Sequence, residues 1–166
     1  ERVKVKKAVG AANKACTAAF KALPNDGNSL LNGAYAYFAS GRKEEGVALI
    51  QKAAELGFPP AMVMVAKYMG RGEYLEKDAE GAWMLLIKTL KTDHAAAKIK
   101  AALEFLPGGV GPENPKRTKK VLQGLIDEGN SAAMIAYAMK VLNLQKAEIG
   151  SDSSKQGISL LERAAL

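Results

Sequence analysis

The residues able to do covalent or acid–base work in this sequence are few, and their spacing speaks against such work. One histidine, His94, and one cysteine, Cys16, cannot complete a zinc site, and no HExxH spacing occurs. His94 falls in a turn, where a plain polar surface role suffices. Cys16 lies in an alanine-rich stretch with nothing nearby to lower its pKa, so it reads as a small buried side chain. Residues 107–116, PGGVGPENPK, have the glycine density of a phosphate loop but lack the GK[ST] ending and follow no strand. The neighbouring carboxylates Asp127 and Glu128, and Glu44 and Glu45, point different ways on a helix and read as solvated charge. Trp83 and Met84 read as core or as a joint between repeats. The inventory supports no catalytic constellation, no metal site and no cofactor site, and the expected function is non-enzymatic.

Two clusters suit binding. NPKRTKK places Lys116, Arg117, Lys119 and Lys120 at the start of a helix, where the macrodipole disfavours each cation by a few tenths of a kcal/mol. These four are the anion-binding candidates. With Lys4, Lys6 and Lys7 they would form a basic patch for an anionic polymer or lipid surface, set against the plainer reading of a solvated charge run. No aromatics interleave with them, which argues against stacking on single-stranded nucleic acid. The second cluster lies at equivalent steps of a repeat and depends on the elements described next.

The elements that must position these residues are helices. Of 166 residues, 48% are hydrophobic and 25% charged, an ordinary balance for a folded domain. No apolar run reaches the ~18 residues of a membrane span. No signal peptide is visible, but the chain begins at Glu1, which leaves the compartment open. The formal charge is +7. Residues 1–21 carry six basic side chains against Glu1, the stretch 22–115 is near neutral, and the remainder is basic again. That balance points to acidic partners without establishing one.

The chain repeats itself. KAAELGFPPAM (52–62) and LIDEGNSAAM (125–134) share a cadence, and Gly57 and Gly129 stand 72 residues apart. A step of 36 carries Ala61 to Ala97 and Ala133. Between these marks the apolar spacing predicts helix pairs: 29–41 with 42–57, 61–72 with 78–93, 96–109 with 114–129, and 132–145 with 154–166. Asp78 is placed to cap the helix that follows it. Pro107 and Pro112 put an internal turn at about 107–113. Ahead of the pairs, 5–23 reads as an alanine-rich helix. No window alternates as strands do, so the fold class is all-α.

The units resemble Sel-one-like repeats, relatives of the tetratricopeptide repeats, whose pattern is A-x3-L-G-x2-Y-x2-G-x-G-V-x2-D-x3-A-x6-A-A-x2-G. The second unit matches at Ala61, Gly72, Asp78 and Ala82, with Val65 and Ala66 at the Leu-Gly pair. It departs at Met69, at Tyr74 and Leu75 for Gly-Val, at Thr89 and Leu90 for Ala-Ala, and at Asp93. The third matches at Ala97, Gly108 and Gly129, and the first keeps Ala53, Ala54 and Gly57. The fourth fits at Ala133, Ala138, Ala164 and Ala165 with an insertion near AEIGSDSS.

The resemblance implies a right-handed α-solenoid of helix-turn-helix repeats over 28–60, 61–96, 97–132 and 133–166, with 1–27 packing on or capping it. Such hairpins bury their apolar faces only against neighbours. Ala61, Ala66, Ala97, Ala102, Ala133 and Ala138 are the expected close crossings. The resemblance also leans towards a bacterial, periplasmic or secreted setting.

Solenoid geometry would make one inner surface of equivalent positions on successive first helices. Tyr37, Met64, Lys67, Tyr68, Arg71, Lys100, Glu104 and Lys140 are the candidates to face a partner there, a mixture suited to protein recognition. The expected function is a scaffold or adaptor holding a protein or peptide in the concave groove. The alternative is an electrostatic binder of a polyanion, an acidic polysaccharide or nucleic acid, through the basic clusters. SLLERAAL (159–166) stops where the pattern would continue, so the chain is expected to be part of a longer array whose last helix self-associates.

Overall fold

Apolar runs separated by glycine and proline become helix and turn. The computed structural model of the chain describes residues 10, 14, 15, 18, 21–143 and 146–166. The helix expected over 5–23 lies largely outside them, as do Cys16, Lys4, Lys6 and Lys7. The α-helices whose bounds are described are Gly27–Ala39 (α1), Lys43–Glu55 (α2), Pro59–Arg71 (α3), Ala79–Leu90 (α4), Ala95–Leu103 (α5), Pro115–Asp127 (α6), Ser131–Ala136 (α7) and Asp152–Ala164 (α8). A π-helical turn, Tyr137–Val141, continues α7. No strand occurs among the described residues.

The chain folds as two compact units, the first ending at Asp78 and the second starting at Ala79. In the first, α1 packs on α2 and α2 on α3. In the second, α4 packs on α5, α5 on α6, α6 on α7, and α7 with its π turn on α8. Each helix therefore rests chiefly on its neighbours in sequence, the contact pattern of a helical repeat. The boundary falls between α3 and α4, inside the stretch 61–96 that the repeat phase groups as one hairpin.

Small residues make these contacts close. Ala61, Ala66, Ala97, Ala102, Ala133 and Ala138, the expected crossings, are all at most 1% exposed. In the first unit Leu30, Ala34, Val47, Ile50, Met62 and Val65 fill the space around them. In the second, Leu122, Leu125, Ile126, Met134, Tyr137 and Leu160 form one buried cluster with Ile99.

The two sentences that the sequence says twice are one structural device. After α2, the Gly57 amide donates to the Ala54 carbonyl and the Phe58 amide to the Ala53 carbonyl, both at 2.9 Å. After α6, the Gly129 and Asn130 amides do the same to Ile126 and Leu125, again at 2.9 Å. Both glycines have positive φ, 82° and 80°. This is the Schellman termination, which satisfies the last carbonyls of a helix and needs a left-handed residue that only glycine supplies without strain.

Several expectations about helix ends change. α3 begins two residues early, on Pro59, because a proline in the first turn lacks an amide that would have gone unpaired. α5 stops at Leu103 rather than 109. Glu104 caps it, and the following turn folds back so that the Gly111 amide reaches the Glu104 carbonyl at 2.9 Å and the Asn114 amide reaches the Phe105 carbonyl at 2.7 Å. A Cβ at Gly109 would sit 2.2 Å from the Glu104 carbonyl oxygen, so this turn requires glycine there. The helix expected over 132–145 is α only to Ala136. From Tyr137 it widens to π, with the Leu142 amide donating to the Tyr137 carbonyl at 3.0 Å, and Asn143 turns the chain at φ 50°. The wider turn keeps both Tyr137 and Ala138 buried.

Candidate functional site

α1, α3 and the loop after α3 bring a group of aromatic side chains together on the surface of the first unit. The Tyr68 and Tyr74 rings meet edge to face, centroids 5.1 Å apart, and Tyr74 makes a similar contact with Phe38 at 5.9 Å. The Tyr35 hydroxyl donates to the Met64 sulfur at 3.7 Å. Tyr35 and Tyr74 are nevertheless about half exposed, at 51% and 52%, and exposed Arg71 ends α3 beside them in sequence. The arrangement offers flat aromatic surface with hydroxyl groups at its edge, which suits a peptide or protein chain. Partial burial is the largest cause that pushes the Tyr68 phenol above its ordinary pKa, followed by the nearby Tyr74, Tyr35 and Glu73 charges, so Tyr68 stays a neutral donor.

Tyr74 is held in the left-handed region, φ 64°, where a non-glycine residue costs about 1–2 kcal/mol. The repeat pattern has glycine at this position. Tyrosine there accepts backbone strain in exchange for a ring on the Tyr68–Phe38 surface, and strain of this kind concentrates at functional sites.

Of the expected contact residues, the structure brings Met64, Tyr68 and Arg71 together on α3, with Lys67 half-buried on the same helix. Tyr37 is elsewhere. It lies about 200° around α1 from Tyr35, with the Arg42 guanidinium 4.3 Å over its ring while the Arg42 Nε donates to Glu45 at 2.8 Å. Tyr35, Phe38 and Tyr74 are the residues that sequence reasoning missed. Two signals pointed to them: Tyr35 and Phe38 are spaced i, i+3, and a tyrosine occupies a repeat position that calls for glycine.

In the second unit Lys100 and Lys140 are exposed. The Glu104 carboxylate is drawn into its own turn, where it accepts from the Val110 amide at 3.2 Å. That same turn uses amides that a phosphate loop would aim at its ligand. The basic run divides. Lys116, Lys119 and Lys120 line a shallow depression on α6 with Gln123, Gly124 and Asp127, and the lysines have no ion pair among the described residues. Arg117 instead lies over the Phe105 ring at 5.1 Å. Thr118, in the middle of the run, is fully buried and its hydroxyl donates to the Ala102 carbonyl at 2.6 Å. Such a run is therefore one wall of the core as well as a charged surface.

His94, read as a plain polar surface residue, is exposed and has a specific task. His94 caps α5, its Nδ1 accepting from the Ala97 amide at 3.2 Å, the same task that Asn114 and Asn130 perform for α6 and α7. Trp83 and Met84, expected in the core or at a joint between repeats, are 39% and 58% exposed. The helical spacing of α4 gives the interior to Ala82, Leu86 and Thr89 instead. No group of three or more His, Cys, Asp or Glu side chains that could hold a metal ion occurs among the described residues, and no described helix is long and apolar enough to cross a membrane.

No family model and no curated protein matches the chain in sequence. Among solved structures, the chain is similar to a Sel1 repeat protein from Oxalobacter formigenes, with a TM-score of 0.61 and 20% identity over 86% of this chain. The chain spans 58% of the length of that protein. The fold is accordingly a helical repeat of the Sel1 solenoid kind, as the repeat phase led us to expect.

Proposed function

We propose that this chain is a non-enzymatic interaction scaffold that binds a protein or peptide through the tyrosine-rich face of α1 and α3. The observation that supports this most directly is Tyr74: a residue in a strained backbone conformation whose half-exposed ring joins the partly buried rings of Phe38 and Tyr68. Tyr35, Phe38, Met64, Tyr68 and Tyr74 would supply the apolar and aromatic contacts, and Arg71 a charged anchor at the edge, the residue types that dominate binding energy at interfaces. Lys100, three residues after Ala97, and Lys140, seven after Ala133, would vary the charge that a longer partner meets.

A second reading, an electrostatic binder of an acidic polysaccharide or nucleic acid, draws support from Lys116, Lys119 and Lys120 on one face of α6, which have no ion pair among the described residues. Salt separates the two readings. Polyanion binding weakens steeply as salt rises because counterion release loses its drive, whereas an aromatic contact tolerates it. The test is affinity capture from a lysate of the source organism with stepwise salt elution, comparing wild type with Tyr35→Ala/Tyr68→Ala and with Lys116→Ala/Lys119→Ala/Lys120→Ala. Partners that resist salt, survive the lysine variant and vanish with the tyrosine variant are expected. Partners released at modest salt, and lost only with the lysine variant, would overturn the scaffold reading in favour of the second.

A further inference from the structure

The outward face of α4 carries a pattern that neither binding surface uses. Trp83, Met84, Ile87, Lys88 and Lys91 line an apolar groove of about 240 Å³, and exposed Glu80 continues the same stripe one turn earlier. The opposite face of the helix is buried through Ala82, Leu86 and Thr89. So α4 is amphipathic on its inner side and again apolar on its outer side, where a surface helix ordinarily carries polar residues. Glu80, Lys88 and Lys91 have no ion pair among the described residues.

The stripe is its own complement when reversed. Laid antiparallel against an identical stripe, with positions paired so that 80 meets 91, Glu80 faces Lys91, Trp83 faces Lys88 and Met84 faces Ile87. Each pairing occurs twice, once on either side of the centre. These are an ion pair, a cation over an indole and an apolar contact, and each is favourable. A two-fold interface requires a self-complementary patch of this kind, in which residue i meets j and j meets i. A parallel arrangement would set Lys88 and Lys91 against their own copies.

We propose that the outer face of α4 is a two-fold docking surface for a second copy of this chain, in the antiparallel register that pairs Glu80 with Lys91. One helix face of 12 residues buries less than an obligate dimer needs, so the association is weak and reversible. It uses α4 and Lys91, the residue that follows it, and stands or falls independently of the tyrosine face.

Trp83 is the sole tryptophan of the chain, so its fluorescence reports on this face directly. The experiment is sedimentation velocity across a concentration series from about 1 to 300 μM, micromolar to well above, with the Trp83 emission maximum read on the same samples. Wild type is expected to pass from monomer to dimer as the emission moves to the blue. Met84→Glu, an exposed position whose fold is checked by circular dichroism, should remain monomeric throughout. Glu80→Lys and Lys91→Glu each set like charges opposite one another twice, and each should weaken self-association by at least about tenfold. Mixing those two variants restores both ion pairs, so the mixture should dimerise as wild type does. A wild-type chain that stays monomeric with unmoved emission, a dimer that survives Met84→Glu, or a mixture that fails to recover would overturn the proposal.

Discussion

In the unit ending at Asp78, the Phe38 and Tyr68 rings both lean on Tyr74 at the surface and Tyr35 reaches Met64; in the unit from Ala79, the exposed face of α6 presents Lys116, Lys119 and Lys120 with no ring among them. Beneath these different surfaces the joints are alike. Ala66 and Ala102 are both fully buried, and Gly57 and Gly129 close α2 and α6 with matching hydrogen bonds. Repeat folds separate the two tasks because each hairpin needs only its neighbours to bury its core, which leaves the outward positions free to diverge. The aromatic face even takes a position the repeat gives to glycine, at Tyr74.

The comparison can be broken or sharpened by measurement, beginning with the largest expected effect. Phe105→Ala should destabilise the second unit by about 3–5 kcal/mol, since the ring is fully buried and also supports Arg117; a denaturant melt gives the value. Ala66→Leu and Ala102→Leu should each cost roughly 1–3 kcal/mol through overpacking. If the joints are equivalent, both variants fall in that range, and a site that takes leucine without loss would break the equivalence. Thr118→Val should cost about 1 kcal/mol by removing the hydrogen bond to Ala102, which would mark the basic run as part of the core.

Tyr74→Gly sharpens the contrast from the other side. It relieves the left-handed backbone and removes the ring, so stability should stay within about 1 kcal/mol of wild type while partner capture by the tyrosine face is lost. A strongly destabilised variant would make Tyr74 a structural residue. The smallest effect concerns pH. The fold raises the Tyr68 pKa above the ordinary 10.0, so between those two values the native chain holds a proton that the unfolded chain has released. Stability is therefore complete below about pH 10 and declines as pH rises through the raised value. Tyr68→Phe should lessen that alkaline decline, as followed by the melting temperature at a series of pH values.

Much of the fold was legible in the residues. The 36-residue step located six alanines that all proved buried, because close helix crossings exclude larger side chains and so leave a periodic trace. Glycines after α2 and α6 were legible for a similar reason, since positive φ selects one residue type. Helix ends were less so: α5 stops at Leu103 because the carbonyl of Glu104 draws the 109–111 turn back onto it, a contact between segments that no local propensity encodes. Trp83 reads as core or joint in the sequence and is 39% exposed, because apolar character alone does not say which of two faces of α4 meets the core.

The sequence by itself determined an all-helical repeat, the places where its helices cross, and the scarcity of groups for catalysis, because each follows from residue type and period. Only the tertiary structure decided which tyrosines stand together. Tyr35 and Tyr37 differ by two positions and by about 200° around α1, so α3 selects Tyr35 as the partner of Met64 near Tyr68. It likewise decided that Arg117 and Thr118 turn inward from a run that reads as uniformly solvated, because α6 has one face against α5 and a charged stretch longer than one turn must contribute to both.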